Sequence, residues 1–161
     1  MSGFSLLLSA TLLVTEPQVF HAQGEMAGEV TQTSVVLQSR LTSVSRLTDG
    51  DVSGMAGVAR FEVSERDDFR SARMTDWLKA EPESDFMIKV NVGGLKPATR
   101  YYYRLIYGQN QDSVQAGETC SFRTLQGRDG TDEVSFVVVT GMNYMSFYYG
   151  KVRNRKRTGV G

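Results

Sequence analysis

The chain has 161 residues, of which 40% are hydrophobic and 22% charged; this suits one domain of ordinary size with short extensions and excludes a disordered polyampholyte. The formal net charge of +0 conceals an uneven spread: the last eleven residues hold five basic groups and no acid, which leaves residues 1–150 with 13 basic and 18 acidic groups, a net of −5. An acidic body does not attract phosphates, so no nucleic-acid partner is expected, and the basic tail reads as a solvated chain end.

Ser5–Val14 reads SLLLSATLLV, the length of a secretory apolar core and too short to span a bilayer. Residues 1–27 are therefore expected to be a leader, with Ala22 or Ala27 as the cleavage position, although no Lys or Arg occurs before Arg40. The alternative is a buried strand or short helix at the edge of the domain. The leader implies export, to a periplasmic, cell-surface or extracellular location, without a stable membrane span.

Short apolar runs then alternate with turn signals over residues 28–126. Ser34–Leu41, Gly57–Ser64, Asp85–Val92, Arg100–Tyr107 and Thr119–Leu125 show period-two patterning, the mark of strands that bury one side. In Gly57–Ser64, for instance, Ala59, Phe61 and Val63 alternate with Val58, Arg60 and Glu62. Thr48–Asp51 and Gly93–Gly94 read as turns, and Gly108–Gly117 as a polar hairpin loop. Ser64–Asp67 reads as a turn that Ser64 could cap, and Arg73–Glu83, which holds Trp77, as a further strand or a helical turn. Strands at this spacing predict an all-β, fibronectin III/immunoglobulin-like Greek-key sandwich. Gly94–Tyr101 has the form G-L-x-P-x-T-x-Y. Here the chain must cross between sheets, with Leu95 and Pro97 shaping the crossing and Tyr101 returning its hydroxyl to an upstream backbone group.

Gln126–Glu133 is polar and glycine-bearing, a linker for which 127–133 is taken as the span. Val134–Val139 reads VSFVVV, a run that suits a strand buried on both faces of a parallel α/β sheet rather than a sandwich strand. Residues 134–161 are accordingly expected to be the start of a second domain, cut short, followed by the basic tail.

These segments together resemble the N-terminal region of PhoD-like alkaline phosphatases. The residues that carry the resemblance are Gly28–Leu41, Val58–Phe69, Phe86–Leu105, Ser121–Leu125 and Val134–Tyr144. The resemblance implies a fibronectin-like sandwich ahead of a metallophosphoesterase domain. That domain would bind iron and calcium or another divalent pair, and would hydrolyse phosphomonoesters or phosphodiesters. Two positions depart from the pattern. Gln38 stands where the family has a tryptophan; facing inward it would need hydrogen-bond partners, and facing outward it would have no consequence. Gly141 stands where the family places a metal-ligating cysteine, and Asn143 and Tyr144 would lie beside that metal centre.

The chain itself offers little chemistry. A metal pair needs several Asp, His and Asn ligands, yet the only histidine, His21, lies in the expected leader. Phosphate loops, C-x-x-C pairs and nucleophile elbows do not occur. No catalytic, cofactor or metal residue is therefore assigned within the chain. Cys120, the sole cysteine, reads as an inert thiol in a strand. Asp49 and Asp51, like Glu81, Glu83 and Asp85, read as polar turns, with a calcium site as the alternative. The tyrosine row Tyr101, Tyr102, Tyr103 and Tyr107 reads as core, with a stacking platform for a sugar or base as the alternative. Trp77 reads as a core residue, with an exposed binding residue as the alternative. The expected function is that of an accessory domain of an exported phosphohydrolase, inactive as this fragment, whose partners are the catalytic domain and, for the whole protein, a phosphoester substrate. The alternative is a free-standing fibronectin-type binding or adhesion module.

Overall fold

The computed structural model describes residues 18–46, 52–128, 130–131 and 133–138. Among the described residues nine strands form two antiparallel sheets. The smaller has the order β1 (Glu25–Gly28), β2 (Val35–Arg40), β6 (Met87–Val92). The larger runs β4 (Arg73–Met74), β3 (Gly57–Ser64), β7 (Arg100–Asn110), β8 (Ser113–Ala116). Within it β5 (Leu78–Ala80) also pairs with β3, and β9 (Cys120–Arg123) with β7. The chain changes sheet between β2 and β3, between β5 and β6 and again between β6 and β7, which makes this an all-β sandwich of the fibronectin III/immunoglobulin type.

Alternation sorts the core. In β2, Val35, Leu37 and Ser39 are buried while Val36, Gln38 and Arg40 face outward. In β3 the inward residues are Ala59, Phe61 and Val63, and in β7 they are Tyr101, Tyr103, Leu105 and Tyr107. Ile88 and Val92 from β6, Leu95 from the crossing and Phe122 from β9 complete the layer between the sheets. Each large side chain buried there contributes about 1.5–3 kcal/mol. Gln38 takes the outward alternative, with its amide nitrogen 3.5 Å from the Met26 sulfur.

Three segments differ from expectation. The sandwich extends upstream of Gly28: Val19 is buried, Phe20 bridges to Thr42, and Glu25–Gly28 pairs with β2. Ala22 and Ala27, expected as cleavage positions, both lie within this packed stretch; the apolar run Ser5–Val14 lies outside the described residues. The Gly108–Gly117 loop is mostly strand, because β7 continues to Asn110 and β8 returns along it through a tight turn at Gln111 and Asp112. Arg73–Glu83 divides into β4, β5 and the start of a 3-10 turn at Pro82–Ser84, so it holds both of the forms considered.

Candidate functional site

One concavity lies near each end of the sandwich. The first, of about 290 Å³, opens where β1 approaches β7 and the β8–β9 connection, and His21, Glu25, Tyr107 and Glu118 line it. The Glu25 side chain is only 3% exposed, and its Oε1 lies 2.6 Å from Nδ1 of His21. That approach lacks hydrogen-bond alignment. The His21 ring meets Tyr107 edge-on at 4.5 Å between centroids. Gly117 makes room for the couple: a Cβ there would stand 3.2 Å from Glu25 Oε1 and 3.3 Å from His21 Cε1. A buried carboxylate disfavours further negative charge nearby. The Tyr103 and Tyr107 hydroxyls are pushed up from their ordinary values, first by burial and then by neighbours that include Glu25. Burial, with Glu25 next, likewise raises the Cys120 thiol. A raised thiol holds little thiolate at neutral pH, so this cysteine is a poor nucleophile.

The second concavity, of about 180 Å³, lies beside the sheet crossing and is lined in part by Glu65, Ser71, Arg73, Gly94, Leu95 and Tyr101. The crossing is built tightly. The Tyr101 hydroxyl accepts a hydrogen bond from the Lys96 backbone N–H at 2.9 Å, while its ring stacks on Phe122 at 5.6 Å. Thr124 ties the same turn, donating its hydroxyl to the Lys96 carbonyl at 2.6 Å and accepting from the Thr99 N–H at 2.9 Å. Pro97 and the left-handed Ala98, at φ +51°, bend the chain between these contacts. Among the described residues no group of three or more His, Cys, Asp or Glu could hold a metal ion.

A family model for the N-terminal domain of PhoD-like phosphatases matches residues 13–126. The chain belongs to this PhoD-like phosphatase N-terminal domain family. A solved structure of PhoD shares its fold. That likeness covers 76% of this chain at 24% identity with a TM-score of 0.56, and spans 22% of the PhoD chain. Weaker likenesses reach the sensor domain of the anti-sigma factor RsgI4 of Pseudobacteroides cellulosolvens and a fibronectin III domain of human contactin 1. The former has 16% identity, coverage of 69% and 97% of the two chains, and a TM-score of 0.46. The latter has 9% identity, coverage of 82% and 96%, and a TM-score of 0.46. No curated protein matches the chain.

Within this PhoD-like domain, Leu95, Pro97 and Tyr101 meet at the crossing. Gly141, Asn143 and Tyr144 lie outside the described residues, as do Asp49 and Asp51. Glu81 precedes the 3-10 turn and Glu83 lies within it, and Asp85 pairs with Arg40 at 2.9 Å. Trp77 corrects its core assignment: it is half-buried on the outer face of β3, with the Arg60 guanidinium 4.3 Å from its ring centroid. A parallel pair places Arg104 over Phe69 at 4.2 Å, against the nearly buried Glu62. The His21–Glu25 couple was missed because both residues fell in the stretch read as leader. Their spacing gives no signal by itself, since the contact depends on Gly117 far along the chain.

Proposed function

We propose that this domain stands in front of the catalytic body of an exported, metal-dependent phosphohydrolase acting on phosphomonoesters or phosphodiesters, and that it carries no catalysis of its own. The observation that carries the reading is the stretch after the sandwich. Val134, Phe136, Val137 and Val138 are 51%, 77%, 87% and 74% exposed. β-branched runs of this kind normally lie inside a sheet covered on both faces, and left bare they are a sticky edge. A following sheet-based domain supplies the cover.

The described residues do not fit a metal pair, and Gly141 has no side chain to offer one. By the resemblance to the family, iron and calcium, or another divalent pair, would be held by the catalytic body. The apolar Ser5–Val14 run supports export, to the periplasm, cell surface or exterior.

The test is to read the locus past the Gly161 codon, express the longer product, and assay a chromogenic phosphoester with divalent metals added. The 161-residue chain should show no turnover and the longer product should show metal-dependent turnover. A frame that closes at Gly161 in the native transcript would leave a binding module and defeat the reading.

A further inference from the structure

The chain leaves the sandwich at a fixed place. Leu125 donates its backbone N–H to the Thr31 carbonyl at 2.9 Å, and its carbonyl accepts from the Ala98 N–H at 3.1 Å. The linker therefore departs from one particular end, the end formed by loops 29–34, 65–72 and 93–99. These loops are held to one another. Lys96 Nζ lies 2.7 Å from a Glu65 carboxylate oxygen, and Arg73 donates to the Gly93 carbonyl at 2.8 Å. Within the first loop, the Thr31 hydroxyl accepts from the Ser34 N–H at 2.9 Å. Left-handed conformations concentrate here as well, at Glu29, Phe69, Gly94 and Ala98. The notch of about 180 Å³ opens between these loops, with Arg73 and Ser71 among its walls. A preformed, polar, concave surface of this kind suits a contact between domains of one chain, which is more polar than an obligate interface.

Reach decides what can occupy it. The apolar run begins at Val134, and the segment Gln126–Glu133 extends about 28 Å at most. A tether that short holds the following body at an effective concentration of order 1 mM near this end. Even a weak contact is then well populated, and the opposite end of the sandwich is the less accessible one.

We propose that this loop end, centred on the notch, is the docking surface for the body that follows Val138 in the same polypeptide. The proposal rests on the reading of this chain as the front domain of a longer enzyme.

The experiment compares the 161-residue chain with the longer product by hydrogen exchange and by lysine cross-linking. Lys96 reports on the docking end, and Lys79, exposed on β5 where that strand pairs with Val58, reports on the other. The expected result is slower exchange at loops 29–34, 65–72 and 93–99 in the longer product, with cross-links to residues beyond 138 from Lys96 and not from Lys79. Ser71→Trp, a change at an exposed notch residue, should abolish that protection while leaving the melting temperature of the 161-residue chain unchanged. Metal-dependent turnover with unprotected loops, or with cross-links from Lys79 alone, overturns the docking surface and leaves the enzyme reading standing. Protected loops without turnover do the reverse. A native transcript that closes at Gly161 overturns both.

Discussion

Tyr101 serves two ends with one side chain: its ring fills the core against Phe122, and its hydroxyl satisfies the backbone N–H of Lys96. Tyr101→Phe keeps the first and removes the second, leaving a part-buried donor without its partner. The expected cost is about 1 kcal/mol, read as a fall of about 4 °C in Tm for a domain of this size. An unchanged melt contradicts the role. This corner was legible in the sequence because all its parts lie within the eight residues Gly94–Tyr101, where proline, glycine and spacing fix the local geometry. Trp77 was not legible. Its place on the outer face is set by Arg60, seventeen positions earlier, and by the brief pairing of β5 with β3. A tryptophan between turns looks the same in sequence whether it faces the core or a guanidinium.

At the scale of elements, period-two patterning located β2, β3, β6, β7 and β9, since each buries one face. It missed β1, whose sequence EMAG has no β-branched residue and no clear alternation. β1 is held by its neighbour instead, with all four residues in register against β2 from Glu25–Ser39 to Gly28–Val36. A chain beginning at Gly28 would lose most of this strand together with buried Val19. Compared with one beginning at Gln18, it should be less stable by about 2–3 kcal/mol from the valine alone, measured as a lower denaturant midpoint. Equal midpoints would mean that the segment adds nothing. The β7–β8 hairpin was hidden by polar composition, and its geometry depends on Gly108. A Cβ at that position would lie 2.0 Å from the Ser113 carbonyl oxygen, where the register shifts. The clash is with backbone, so β8 must move. Gly108→Ala should therefore cost about 1–3 kcal/mol and speed amide exchange along Ser113–Ala116.

For the molecule as a whole, burial sets an alkaline limit. Tyr103, Tyr107 and Cys120 all hold their protons more tightly when folded, chiefly because burial penalises the charged form. The unfolded chain releases these protons near the ordinary values of about 8.5 for cysteine and about 10 for tyrosine. Below those values the stabilisation is complete; as pH rises toward the folded values the unfolded state binds fewer protons and stability falls. The denaturant midpoint should drop above about pH 9–10, and Tyr103→Phe should flatten that drop. A midpoint that stays level through this range contradicts the assignment.

The positions of Val19 and Leu125 carry a mechanical consequence. Val19 is fastened beside Gln115 and the end of β2, whereas Leu125 is fastened to Thr31, before β2 begins. The two ends of the domain thus lie on opposite sides of the strands, separated by roughly the rise from Arg100 to Tyr107, about 23 Å. Tension between whatever is attached at one end and whatever is attached at the other runs along the strands. The ladder bonds of β1 on β2 and of β9 on β7 then share the load in shear, instead of parting one at a time as in an unzipped hairpin. The sandwich is arranged as a stiff strut between its neighbours in the chain.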